Sequence, residues 1–382
     1  MNKIIDSLSV SFYMFWEVLW PLVLGFFLSA LVQALISHKS MGKYLGGQGA
    51  KNITFATLFG MVSSSCSYAA VAIARAIFKK GASFTSAMVF EIASTNLVIE
   101  LGIILIVLMG WQFAGAEFVG GIVMVILIAL IFRLTLTHKL VQEARQQAEK
   151  GLIGKMEGHA EMDMSITQGK FLEKLFSKQA ITSVSHYFVM DWASVWTDIL
   201  LGFLISGALS VFVPHSFWQA FFFVNDKTLA FIWGPLVGPI VAALSFVCSV
   251  GNVPLAAVLW KGGISFGGVV SFIFADLIVL PILNIYRKYY GVKTTIYIFV
   301  TFYLAIVLAG YLVEILFGIL GLIPTDRSLS IITQGVSWNY TFFLNSIFII
   351  LTIILILRFI RTGGPEMLRM MNKPVHGQVH HH

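Results

Sequence analysis

A polytopic, all-α membrane protein built from two repeats of similar sequence is the fold class this chain predicts. Three observations predict it. The 382 residues are 58% hydrophobic and only 11% charged, where a soluble domain carries about 25% charged residues, and the mean hydropathy is +0.88. The apolar runs are long, not the short alternating segments of a β-barrel. The stretch SCSYAAVAIARAIFKKGASF, residues 65–84, returns as VCSVGNVPLAAVLWKGGISF, residues 247–266, at a constant offset of 182 without a gap. Eleven of the thirty-one positions from Ser63 to Ala93 are identical to their counterparts, and the only two cysteines, Cys66 and Cys248, coincide. Upstream, GFFLSAL from Gly25 resembles GFLISGAL from Gly202.

A bilayer core about 30 Å thick takes about 20 apolar helical residues to cross. Spans are expected at 10–36, 84–109, 113–136, 186–213, 266–286, 294–322 and 338–358. Two segments are irregular. Residues 53–78 are interrupted by Gly60 and the polar run Ser63–Ser67, and 229–260 by Gly234, Pro235, Gly238, Pro239, Cys248-Ser249, Gly251-Asn252 and Pro254. Proline removes a helix hydrogen bond, and breaks at membrane depth survive only where protein or a wet cavity receives the freed backbone.

Charge orients the chain. Lys39, Lys43 and Lys51 precede the first irregular segment and Lys79 and Lys80 follow it, so a segment that dips in and returns keeps both basic loops on the cytoplasmic side. Arg287, Lys288, Lys293, Arg358, Arg361, Arg369 and Lys373 fall on the same side. The two halves then have opposite orientations, the inverted repeat of many secondary transporters. The expected division is a first membrane repeat at 10–136, a cytoplasmic loop at 137–185 with seven basic and six acidic residues, a second repeat at 186–322, an added span at 338–358 and a polar, His/Met-bearing tail at 359–382. The net charge of +7 belongs to cytoplasmic loops, and no nucleic-acid partner is expected. The first apolar run lacks a small-residue cleavage pattern and is expected to stay as a span. The expected location is the cell membrane.

Each irregular segment has an apolar approach, a break of small polar residues with one cysteine, and a second helical piece ending at Lys-x-Gly-x-Ser-Phe. Small residues allow close backbone approach, and half-helix ends present free N–H and C=O groups at the midplane. Candidate substrate-binding residues are Ser64, Ser65, Cys66 and Ser67 in the first break and Cys248, Ser249 and Asn252 in the second. Thiols select soft metal ions and metalloids. Two cysteines and hydroxyls are not the four-ligand set of structural zinc. Acids within spans are expensive and usually functional, which makes Glu91 and Asp276 the proton-coupling candidates. Glu17, Glu100, Asp191, Asp198 and Glu314 lie nearer span ends and are expected to reach the interface, and Trp192, Trp196, Trp218 and Trp233 to form an aromatic belt. A weaker metal-ligand candidate is EGHAEMDM, with His159, Met162 and Met164. No Walker motif, H-E-x-x-H or Ser/His/Asp order occurs, so no enzyme and no cofactor is expected.

At the Cys-Ser breaks the sequence resembles the ArsP-type permeases, a predicted permease family that includes exporters of trivalent organoarsenicals. The resemblance runs from about residue 12 to 322 and rests on the duplicated break, VPLAAVLWKGGISFGG and FADLIVLPILNIYRKYYG. The family's first break often reads Cys-Ser-Cys-Ser; here it is Ser64-Ser65-Cys66-Ser67, so these breaks do not supply three thiols. The resemblance implies a secondary permease for a small molecule or ion. The leading expectation is efflux of a soft metal or metalloid species, such as a trivalent arsenical, through a midplane site with one cysteine from each repeat. Uptake of a small sulfur-containing anion and a membrane-embedded redox or interaction subunit are the alternatives, though the absence of Cys-x-x-Cys weighs against redox work. The lipid bilayer is the expected surrounding, and a homo-oligomer is compatible with the sequence.

Overall fold

The computed structural model describes residues 2–35, 45–47, 49–64, 67–79, 81–149, 177–245, 249–327 and 340–372. The described residues are helical throughout, joined by short turns. Among them five helices are long and apolar enough to cross a membrane, or seven when two bent pairs count as spans. In order they are α1 (Asn2–Leu35), α2 (Ala50–Ser63), α3 (Ser67–Lys79), α4 (Phe84–Asn96), α5 (Ile99–Met109), α6 (Trp111–Thr135), α7 (His138–Glu149) and α8 (Lys178–Phe212). Then come α9 (His215–Phe221), α10 (Lys227–Ser245), α11 (Ser249–Gly262), α12 (Phe266–Phe274), a 3-10 turn at Ala275–Ile278, α13 (Leu280–Tyr290), α14 (Val292–Ile319), α15 (Tyr340–Arg361) and α16 (Gly364–Asn372).

At the offset of 182, element boundaries coincide. α2 ends at Ser63 and α10 at Ser245; α3 starts at Ser67 and α11 at Ser249. α4 and α12 both open on Phe, and the preceding serines cap them: Ser83 accepts from the Ser86 N–H and Ser265 from the Gly268 N–H, each at 3.1 Å. The turns before these caps pass through Gly81 and Gly263 at φ +105° and +113°, a region that side chains other than glycine's disfavour.

The hydrogen bonds fix direction. The Gly47 carbonyl accepts from the Ser83 and Ser86 hydroxyls at 2.9 and 3.0 Å, while a Cβ at Gly60 would meet Ala93 Cβ at 2.7 Å. α2 and α4 therefore start together and run side by side in one direction. α3 returns to that same start, where Ser83 N–H bonds the Leu45 carbonyl at 2.9 Å. α10 and α12 are likewise parallel, since Gly234 faces Ser265 and Gly238 faces Ser271 and Phe272, and α11 returns to the Ser265 end.

Long helices of the two halves run antiparallel. α1 meets α8 through Phe15–Phe203 at 5.6 Å and Phe26–Trp192 at 4.9 Å. α6 meets α14 with Gly115 beside Phe317 and the Thr135 hydroxyl 2.8 Å from that of Tyr297. The turn after α3 lies near the Phe132 end of α6, with Phe84 stacked on Phe132 at 5.9 Å. The turn after α11 lies near its Phe113 end, with Phe113 at 5.1 Å from Trp260. The two turns thus sit at opposite ends of α6.

Two stretches expected to be plain spans are interrupted: 84–109 at Leu97-Val98, and 266–286 by the 3-10 turn, where the axis bends by 41°. Hydropathy averages over a window and does not register a two-residue break. Within 137–185, α7 packs on α3 and α13, with Ala144 and Ala148 buried. Arg75 donates to the Ala148 carbonyl at 2.8 and 3.2 Å.

α15 packs against α1 and α8 and repairs a defect. α1 is bent by 49° between Lys3–Trp16 and Val18–Leu28. The buried Asn345 amide donates to the Trp16 carbonyl at 2.7 Å and accepts from the Trp20 N–H at 2.9 Å, bridging two groups one helical turn apart. Asn345→Leu is expected to leave both unpaired and to destabilise the protein by about 1–3 kcal/mol. Thermal unfolding of purified protein in detergent measures this; an unchanged midpoint would remove the bridge from what holds the kink.

Candidate functional site

α2 stops because Ser64 turns left-handed at φ 39°, ψ 71°. Its hydroxyl donates to the carboxylate of Glu100, which projects from the start of α5. Ser67 opens α3, and its hydroxyl donates to Asp276 Oδ2 at 2.5 Å. Asp276 comes from the 3-10 turn of the other half. A carboxylate at a helix N-terminus is favourably placed against the backbone dipole.

A second bond crosses the halves one step away. Every residue of α4 is buried, so Glu91 at its centre finds no water, and the Tyr286 hydroxyl on α13 donates to Glu91 Oε1. Ser94 and Thr95 satisfy their hydroxyls on carbonyls of their own helix, at 2.9 Å from Glu91 O and 3.2 Å from Ile92 O. Glu91 Oε2, Asp276 Oδ1 and both amide atoms of Asn96 are buried without a partner among the described residues.

Glu117 joins them. It sits on α6 with both carboxylate oxygens buried and unpartnered, on the face that carries Gly120 and Gly121. A Cβ at Gly121 would meet Leu97 Cδ2 at 2.5 Å and one at Gly120 would meet the Phe274 ring at 2.8 Å. These glycines let α6 approach both helix interruptions, one at Leu97-Val98 and the other just after Phe274. Asp276 lies within electrostatic range of Glu91 and of Glu117. No Lys or Arg pairs with any of the three acids among the described residues. Three carboxyl groups from three elements thus gather where the helices of both halves break.

Of the residues expected to act, Ser67, Glu91 and Asp276 are brought together. Ser64 is nearby in the chain but turned to Glu100. Ser249 is buried at the start of α11, and Asn252 accepts weakly from the Ser245 hydroxyl at 3.4 Å within its own break while its Nδ2 stays unpartnered. Ser65, Cys66, Cys248, His159, Met162 and Met164 lie outside the described residues. Among the described residues no group of three or more His, Cys, Asp or Glu is arranged to hold a metal ion.

The interface role expected for several residues is corrected. Glu100 turns inward and accepts from the Ser64 hydroxyl. Asp191 is buried. Glu314 accepts from the Ser265 hydroxyl at 2.8 Å and the Gly267 N–H at 3.2 Å, serving the open start of α12. Trp218 is buried against Gly262 and Trp192 packs on Phe26, while Trp196 and Trp233 are exposed. Sequence reasoning missed Glu117, although it lies within the expected span 113–136. It also missed Tyr286, ten residues past Asp276.

Comparison with known proteins agrees with this architecture. The ArsP_1 family model, described as a predicted permease, matches residues 4–315. The chain is similar to "Putative permease Rv2963" of Mycobacterium tuberculosis, 55% identical over 338 residues that cover 88% of this chain and 83% of that protein. It is more distantly similar to "UPF0718 protein YraQ" of Escherichia coli, 26% identical over 216 residues, covering 56% of this chain and 54% of that one. No solved structure matches it.

The geometry predicts what removing one partner does. Tyr286→Phe strips Glu91 of its donor and is expected to cost about 1–3 kcal/mol, the penalty of an unsatisfied buried polar group. Tyr286→Phe combined with Glu91→Leu should recover part of that loss in the same thermal-unfolding assay, because the orphaned carboxyl is gone. A double variant less stable than the single one would contradict the pairing.

Proposed function

The chain belongs to the ArsP_1 family of predicted permeases, a multi-pass protein of the plasma membrane, and from that premise we propose that it is a secondary transporter exporting a soft metal or metalloid species. The two halves act as inverted repeats. Each contributes a helical hairpin whose tip carries one cysteine, and the tips meet at a shared midplane site. The observation that carries this reading is the pair of bonds between halves, Ser67–Asp276 and Tyr286–Glu91, placed where the helices are interrupted.

Three features support the arrangement. The antiparallel pairs α1/α8 and α6/α14 have the symmetry of an axis lying in the membrane plane. The hairpin bases at opposite ends of α6 leave one facing each side. Positive-inside counting puts the Lys51/Lys79 base in the cytoplasm.

The chemistry follows from the donor set. A thiol that ligates a soft ion gives up its proton. Cys66 directly precedes Ser67, whose hydroxyl holds Asp276, so a carboxylate stands ready to take that proton. Glu91 and Glu117 extend the set of exchanging acids across the interface between halves. Release on the far side reverses the transfer. An anionic substrate suits the site less well, because the Asp276 carboxylate already occupies the start of α3.

The test is growth of a metal-sensitive host expressing the chain, across arsenite, methylated arsenite, antimonite, copper and mercury, with membrane levels measured alongside. Wild type is expected to protect against at least one of these, and Cys66→Ser or Cys248→Ser to lose that protection at unchanged membrane level. Full protection by the double serine variant would end the thiol-ligand reading. In proteoliposomes, Glu91→Gln and Asp276→Asn should retain counterflow of the protective species but lose uphill transport driven by a proton gradient. Undiminished uphill transport would dismiss these acids as the coupling groups.

A further inference from the structure

The end of a helix leaves carbonyl groups without intrahelical donors. At the end of α3 an arginine supplies them. Arg145, on α7, donates to the Phe78 carbonyl at 2.7 Å and the Ala82 carbonyl at 3.0 Å, and its guanidinium lies 4.2 Å from the centre of the Phe78 ring. At the end of α11 another arginine does the same. Arg327 donates to the Trp260 carbonyl at 3.1 Å and the Ile264 carbonyl at 2.9 Å, 4.1 Å from the Trp260 ring. Every member of the first set maps onto the second at the offset of 182: Phe78 to Trp260, Ala82 to Ile264, Arg145 to Arg327.

The segments that carry the two arginines do not resemble one another. Arg145 sits in a polar amphipathic helix and Arg327 in an irregular stretch after α14. The grip recurs on unlike supports, which sets it apart from incidental helix capping. Arg145 uses both terminal nitrogens, Nη1 to Phe78 and Nη2 to Ala82, whereas Arg327 reaches both carbonyls from Nη1 alone. In each the planar guanidinium also stacks on an aromatic face, which the point charge of a lysine does not reproduce. At the second base the grip is tied into a wider network: Glu314 holds Ser265 and Gly267 and lies within electrostatic range of Arg327. Burial draws the Arg327 pKa below its ordinary value and the Glu314 carboxylate opposes that.

The two gripped bases lie at opposite ends of α6, and Ser67, at the other end of α3 from the first base, holds Asp276 in the candidate site. We propose that Arg145 and Arg327 are matched latches, one on each face of the membrane, and that access passes from one face to the other by release of one guanidinium while the other stays engaged. Both are engaged in this structure. They are positioning residues: they act on the site through the hairpins they hold. The inference rests on the alternating-access reading above, but its test requires no substrate.

The test is amide hydrogen exchange of the purified full chain in lipid nanodiscs, followed by mass spectrometry. The reporters are the amides of Gly81 and Ala82, bonded to Phe78 and Ile77, and of Gly263 and Ile264, bonded to Trp260 and Leu259. Arg145→Gln is expected to speed exchange at the first base roughly tenfold, the effect of losing a charged hydrogen bond, and to slow it at the second. Arg327→Gln should give the mirror image. The double variant should speed both, with no slowing at either. A purely structural cap predicts local loosening alone, so a single variant that leaves the opposite base unchanged, or loosens it as well, overturns the proposal. Arg145→Lys and Arg327→Lys keep the charge and lose the fork. They are expected to follow the glutamine variants and they serve where a glutamine variant does not fold; wild-type exchange in both lysine variants would also overturn it. Reciprocal exchange in a chain that transports none of the tested species would count against the transport reading and leave the latches standing.

Discussion

The structure depends on one constraint: backbone polar groups freed at membrane depth must find partners within the protein, because hydrocarbon offers none. Among the described residues that demand arises at the left-handed Ser64 that ends α2, at the bend of α1, at Leu97-Val98 and at the 3-10 turn before α13. The helices converge where the demand is greatest. α4 is buried along its whole length, and Gly120 and Gly121 bring α6 against both interruptions. Two of the polar pairs kept there, Ser67 with Asp276 and Tyr286 with Glu91, bond across the gap. A continuous bundle of apolar helices would be simpler to build, but it would have no interior surface on which a polar solute could be received.

Much of this was legible in the residues. The element ends at Ser63/Ser245 and Ser67/Ser249 follow the offset of 182 to the residue. Identity is most informative where sterics leave little choice, as at the left-handed Gly81 and Gly263. The interruptions inside α4–α5 and α12–α13 were not legible, because Leu97, Val98 and Ile278 are as apolar as the helices they separate. Glu117 escaped for a different reason. Only the packing of Gly120 against Phe274 and of Gly121 against Leu97 shows that this face of α6 meets both interruptions. The arginine pair could have been found by carrying the offset past the aligned blocks, but a lone Arg/Arg match amid unlike residues has no statistical weight until its carbonyl partners are seen to match too.

Positions 182 apart agree in scaffold and differ in chemistry. Glu91 stands opposite Ile273, Asp276 opposite Ser94, Glu117 opposite Phe299 and Glu314 opposite Phe132. No buried acid has an acidic counterpart. Caps, glycine turns and arginine grips are held in common, whereas the buried acids are not. A symmetric placement would put like charges on both sides of a narrow gap, each raising the cost of the other. An asymmetric one lets Asp276 meet Ser67 and Glu91 meet Tyr286 across the halves.

That asymmetry bears on how the halves can move. The hydroxyl–carboxyl bonds join the halves at the centre, and the arginines join each hairpin to its own flank. A rocking motion that opens one end must strain one flank while the centre acts as the pivot. Hydrogen bonds that merely exchange partners can serve a pivot, because their loss on one side is offset by water or substrate entering on the other. A guanidinium held by two carbonyls and a ring has no such substitute, so its release is a discrete event. On the alternating-access reading proposed above, the central bonds are suited to act as a pivot and the flanking ones to set which end is closed.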